Sequence, residues 1–151
     1  MSVLIAVDVV VDAPPQAVWE AVTDWPRQSE WMLGTTVRAT ELGGVGVGGG
    51  LEAFTGVGRA GFLDTMIITE WDPPWKCVVR HTGQVVKGLG IFEVLALPGG
   101  RSRFVWAEEL DLPLGAVGRI GWPVVRPGFA WAVRRSLQKL ARDVERKHAA
   151  S

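Results

Sequence analysis

The chain has 151 residues, and its sixteen basic and sixteen acidic side chains cancel, which excludes a whole-molecule field that would recruit nucleic acid or an anionic membrane. Hydrophobic residues make up 48% before nineteen glycines are added, enough for one domain over residues 1–151 with a core that needs no staples. Cys77 is the single cysteine, so an internal disulfide and an all-cysteine metal site are excluded and a cytoplasmic setting is expected.

In chain order, positions 3 to 11 alternate, with Val3, Ile5, Val7, Val9 and Val11 on one face, and predict a first strand. Asp8 interrupts this apolar start and no basic residue precedes Arg27, so it does not read as a secretion signal, and it is too short to cross a bilayer. Pro14 is steered away from helical geometry by Pro15, which itself suits a first helical turn. A helix is therefore expected over residues 15–23, with Val18, Ala21, Val22 and Trp25 on one face. Asp24-Trp25-Pro26 breaks it, and residues 27–32 allow one more short helical piece.

The punctuation then changes. Glycine and proline clusters separate short runs rich in Val, Ile, Thr, Phe and Trp, the pattern of a strand meander. Strands are predicted over 35–41, 51–55, 63–71, 76–81, 85–96 and 103–111, seven in all with the first. Residues 115–128, with Gly118, Gly121, Pro123, Pro127 and Gly128, read as a loop. Phe129, Val133, Leu137, Leu140 and Val144 then recur at helical spacing and predict an amphipathic helix to about Lys147.

A strand, two short helices, six strands and a long last helix resemble the START-like superfamily of polyketide cyclases, dehydrases and lipid-transport proteins. The resemblance is carried by Asp12-Ala13-Pro14-Pro15 with Val18-Trp19 and Asp24, by Glu70-Trp71-Asp72-Pro73-Pro74, and by Phe104-Val105-Trp106-Ala107-Glu108-Glu109-Leu110. It implies an α+β helix-grip fold, a curved antiparallel sheet with the long C-terminal helix over its concave face. It also implies an apolar cavity between them, shared by carriers, sensors and cyclases alike.

Several motifs point elsewhere and fail on context. Gly56-Val57-Gly58-Arg59-Ala60-Gly61 spells the dinucleotide fingerprint, but that fingerprint needs a following helix to offer amides to pyrophosphate, and a strand is expected here. The glycine-rich run 43–50 lacks a Gly-Lys-Ser/Thr ending and is expected to be a flexible hairpin end near the cavity mouth. Cys77, His81 and His148 are too few and too scattered to predict a metal site, and no cofactor is implied. No Gly-x-Ser-x-Gly elbow is present. The basic residues of the last helix, diluted by Asp143 and Glu145, read as a solvated face.

Strand parity identifies the inner wall, because alternate side chains share a face. The inner sets are Asp64, Met66, Ile68 and Glu70; Cys77, Val79 and His81; Val86, Gly88, Gly90, Phe92 and Val94; and Phe104, Trp106, Glu108 and Leu110. Gly88 and Gly90 would leave room for ligand or let the sheet bend. Of the eight tryptophans most are expected in the core, with Trp106 and Trp131 bordering the cavity and Trp122 in an entrance loop. The expected ligand wall is Met66, Phe92, Phe104, Trp106, Phe129 and Val133, with Asp64, His81 and Glu108 orienting the polar end of a lipid-like or aromatic polyketide-like molecule. The leading expectation is a binding protein for such a hydrophobic small molecule, with no nucleic acid and no stable membrane insertion, its oligomeric state left open. The alternative is a cyclase, aromatase or dehydratase in which His81 or Glu108 moves protons. A protein-interaction module is the third.

Overall fold

The computed structural model describes residues 2–84, 86–111 and 116–151. Seven strands form where β-branched and apolar residues alternate: β1 (Ser2–Val11), β2 (Thr35–Ala39), β3 (Gly50–Val57), β4 (Ala60–Asp72), β5 (Lys76–His81), β6 (Gly88–Leu97) and β7 (Arg101–Asp111). Helix α1 (Pro15–Val22) and a 3-10 helix (Trp25–Glu30) separate β1 from β2, and helix α2 (Ala116–Ala149) ends the chain. The strands make one antiparallel sheet in the order β1-β7-β6-β5-β4-β3-β2. From β2 to β7 each strand therefore pairs with the next, while the two short helices carry the chain from one edge of the sheet to the other. This is the expected helix-grip α+β fold.

The core forms between α2, α1 and one face of the sheet. Ile5, Val7 and Val11 of β1 are buried with Val94, Phe104 and the α2 residues Leu137, Leu140 and Val144. Each such side chain contributes about 1.5–3 kcal/mol on burial, which holds the C-terminal half of α2 against β1. The Ser136 hydroxyl fixes α2 sideways by accepting the Leu33 N–H at 3.0 Å and donating to the Ala132 carbonyl at 2.8 Å. Among the described residues no helix is long and apolar enough to cross a membrane.

Three departures from the sequence reading matter for the site. The segment expected as a loop over 115–128 is helical from Ala116, Gly115 lying outside the described residues. Pro123 and Pro127 are both exposed and four residues apart, so the carbonyls they deprive of a partner face water, where hydration replaces the lost bonds. In β4 the register shifts between Ile68 and Glu70. The extra residue, Thr69, reverses the parity beyond it, so Glu70 is exposed and Trp71 turns inward onto Trp19 at a ring distance of 5.1 Å.

β3 and β4 continue through Gly56-Val57 and Ala60-Gly61, leaving only Gly58-Arg59 in the turn; the glycine fingerprint lies in a hairpin, with no helix after it. The run 43–50, expected near the cavity mouth, does not line the cavity. Gly44 accepts the Trp25 indole N–H at 2.9 Å, and Gly48 donates to Ile68 at 2.9 Å. Smaller shifts end β2 at Ala39 and begin β6 at Gly88, the expected start at Val85 falling outside the described residues.

Candidate functional site

The N-terminal half of α2 and the inner face of the sheet enclose a cavity of about 420 Å³. Its walls are mainly apolar, with Met66, Val79, Phe92, Trp106, Phe129 and Val133 among them. Leu33, Phe62 and Val125 line it while remaining 48%, 38% and 59% exposed, so they mark the mouth, between α2, the β3–β4 hairpin and the segment after the 3-10 helix. Two further depressions, beside Asp12 and Glu145 and beside Thr82 and Asp111, are open surface features of mixed polarity.

Three ionisable side chains meet on this apolar wall. Register brings them together: His81 is opposite Met66 on β4 and Gly88 on β6, Glu108 is opposite Gly90, and Asp64 lies two residues before Met66 on the same face. His81 Nδ1 lies 3.0 and 2.9 Å from the two Asp64 oxygens, and Nε2 lies 2.9 Å from Glu108 Oε2. The three side chains are 4%, 11% and 13% exposed for His81, Asp64 and Glu108.

Glycine at position 90 makes this possible. A Cβ there would come within 2.9 Å of Val79 Cγ2 and within 3.3 and 3.4 Å of the Glu108 oxygens, so the missing side chain is the space in which the carboxylate lies. Gly88 serves the backbone instead. Its φ is +120°, and a Cβ would meet the Glu109 carbonyl at 1.9 Å, leaving glycine as the residue that fits.

Burial disfavours the charged imidazole, but hydrogen bonds and charge from Asp64 and Glu108 outweigh it and lift the His81 pKa to about 9. Burial, assisted by the Asp64 charge, pushes Glu108 above the usual carboxyl range, although His81 pulls the other way. Both directions agree: the cluster holds protons more tightly than the same groups in water. At neutral pH His81 donates an N–H to each carboxylate, which fixes its ring as a bridge. Glu108 Oε1 takes no hydrogen bond from any described residue, and it is the atom through which the cluster can pass or receive a proton at the cavity.

Asp64, Met66, His81, Phe92, Trp106, Glu108, Phe129 and Val133 all line the cavity. Phe104 does not. It is wholly buried in the core cluster and packed edge-on against Phe92 at 5.3 Å. Trp131 is 60% exposed and off the wall, whereas Trp122 lines it from helix rather than loop.

The sequence reading missed Gln28. It sits on the 3-10 helix, is only 7% exposed, lines the cavity, and has a buried Oε1 without a partner. A polar residue three after Trp25 on a short helix with a buried face was the available signal. Cys77 also lines the cavity, and burial, with a smaller push from the Glu70 charge, raises its thiol to about 12, so it is a poor nucleophile. Among the described residues no three His, Cys, Asp or Glu side chains converge as a metal site.

A sequence model described as polyketide cyclase / dehydrase and lipid transport matches residues 2–145. Among solved structures the chain is similar to the Zhui aromatase/cyclase from Streptomyces sp. R1128, with a TM-score of 0.79 and 16% identity over 97% of this chain and 96% of that one. It is equally similar to TTHA0849 from Thermus thermophilus, with a TM-score of 0.79 and 16% identity over 99% of both chains. The di-domain ARO/CYC protein BexL of the BE-7585A biosynthetic pathway is similar over 99% of this chain and 50% of its own, at a TM-score of 0.69 and 16% identity. A comparison with curated proteins gave no match. Likeness at such identities establishes the fold, and the match over residues 2–145 establishes more: the chain is a member of the polyketide cyclase/dehydrase and lipid-transport family.

Proposed function

We propose that this protein binds a largely apolar, aromatic or lipid-like small molecule, with the polar end of that molecule against Asp64, His81 and Glu108. The observation that carries this reading is the buried hydrogen-bonded cluster set in the wall of an otherwise apolar cavity of about 420 Å³. A void of this size falls within the range of small-molecule sites. Each 100 Å² of apolar ligand surface buried there contributes about 2.5 kcal/mol, and the cluster adds orientation. Native mass spectrometry of the protein purified from its own host tests the reading: a small-molecule adduct that is lost on unfolding supports it. Absence of any adduct, with no uptake of apolar aromatic probes, contradicts it.

A second reading, acid–base catalysis on such a ligand, is favoured by one feature. Glu108 lies at the cavity with a raised pKa and a charged imidazole behind it, an arrangement suited to giving or taking a proton at a bound carbonyl or hydroxyl. The aromatase/cyclase among the similar structures is consistent with that chemistry. In this reading Glu108 moves the proton and His81, held by Asp64, positions it. Glu108→Gln would abolish turnover while leaving binding of an apolar ligand largely intact; equal loss of both favours carriage.

A further inference from the structure

The balance of charge and hydrogen bonds in the cavity restricts what its ligand carries. Both His81 nitrogens are engaged, Nδ1 by Asp64 and Nε2 by Glu108. One imidazolium thus serves two carboxyl groups. No lysine or arginine is among the described residues lining the cavity. With Glu108 ionised the cluster carries an excess negative charge, and with Glu108 protonated it is neutral; in neither state is positive charge left for an anion. The polar atom left over at the wall is Glu108 Oε1, an oxygen lying over the bare backbone of Gly90. The Gln28 carboxamide lines the same cavity, but its oxygen is buried against protein and out of a ligand's reach. The cavity therefore has hydrogen-bonding capacity still to be met by a ligand, and none of it is cationic.

We infer that the polar end of the ligand is a hydrogen-bond donor, a hydroxyl or an amine, and that the cavity rejects carboxylates. This rests on the binding reading above and narrows it. A donor meets Glu108 Oε1 directly and stabilises the ionised carboxyl where burial opposes it. A carboxylate in the same place sets a third acid beside one imidazolium and enters only by taking up a further proton. A free fatty acid is thereby excluded, and an alcohol, phenol or amine of similar apolar bulk is admitted.

Three molecules of one shape separate the possibilities: naphthalene, 2-naphthol and 2-naphthoate, titrated into the full chain by equilibrium dialysis at slightly alkaline pH. The expected order is naphthol tightest, with naphthoate weaker than naphthol by about tenfold or more. In Glu108→Gln, checked for folding by circular dichroism, the gap between naphthol and naphthoate closes. Binding of naphthalene together with naphthoate at least as tight as naphthol overturns the inference alone. Failure of all three to bind overturns the cavity reading, and the inference falls with it. The wild-type comparison decides the matter even if Glu108→Gln does not fold.

Discussion

Raising the pH through the range in which His81 loses its proton should weaken the fold measurably. In the unfolded chain the imidazole has its ordinary value of 6.5, and in the folded chain it is held at about 9. A group whose folded value is raised adds stability in full below the unfolded value, and that stability is lost as pH climbs through the folded one. The window runs from 6.5 to about 9, and at about 1.4 kcal/mol per pH unit the loss is on the order of 3 kcal/mol. With the His81 side chain 4% exposed, solvent screening removes little of this. Glu108, also raised, bends the curve the same way but begins above its ordinary 4.5. Urea unfolding followed by tryptophan fluorescence, repeated between about pH 6 and about pH 10, measures the loss. Nuclear magnetic resonance of the imidazole rings follows its source, since His148, exposed near the end of α2, is the only other histidine. A His81 ring that releases its proton at or below 6.5, or stability that stays flat across the window, would refute the reasoning.

Gly90→Ala is expected to destabilise by about 1–3 kcal/mol, because the new Cβ overpacks Val79 and displaces Glu108; the free energy of unfolding and naphthol affinity should fall together. Leu137→Ala, at a side chain with no exposure, should cost about 2–5 kcal/mol in urea unfolding. Trp131→Ala, at an exposed position off the cavity wall, should change stability by no more than about 0.5 kcal/mol and leave naphthol affinity unaltered. Cys77, raised to about 12 and buried, should react with iodoacetamide far more slowly in the folded chain than in urea, as mass spectrometry would register.

Much of the fold was legible because its punctuation is local. Glycine and proline clusters mark strand ends, and Val133, Leu137, Leu140 and Val144 announce the packed half of α2 without reference to anything distant. The first turns of α2 were hidden because Pro123 and Pro127 read as breakers, and only their exposure explains how a helix accommodates them. Parity put Asp64, His81 and Glu108 on one face correctly but misplaced Glu70, since a bulge leaves no mark in the alternation. That the three form one cluster depended on register across four strands, which alternation within a strand does not specify. Phe104 and Trp106 share a face, and alternation cannot say that the first is core and the second lines the cavity. Gln28 was overlooked for a similar reason: its burial arises from the way the 3-10 helix packs beside β2.

A crystal structure of the complex with 2-naphthol would locate both the rings and the hydroxyl. The rings should lie between Phe92, Trp106 and Phe129, with the hydroxyl in hydrogen-bond contact with Glu108. A naphthol found outside the cavity, or an α2 collapsed onto the sheet with Phe129 and Val133 filling the space, would contradict the binding reading.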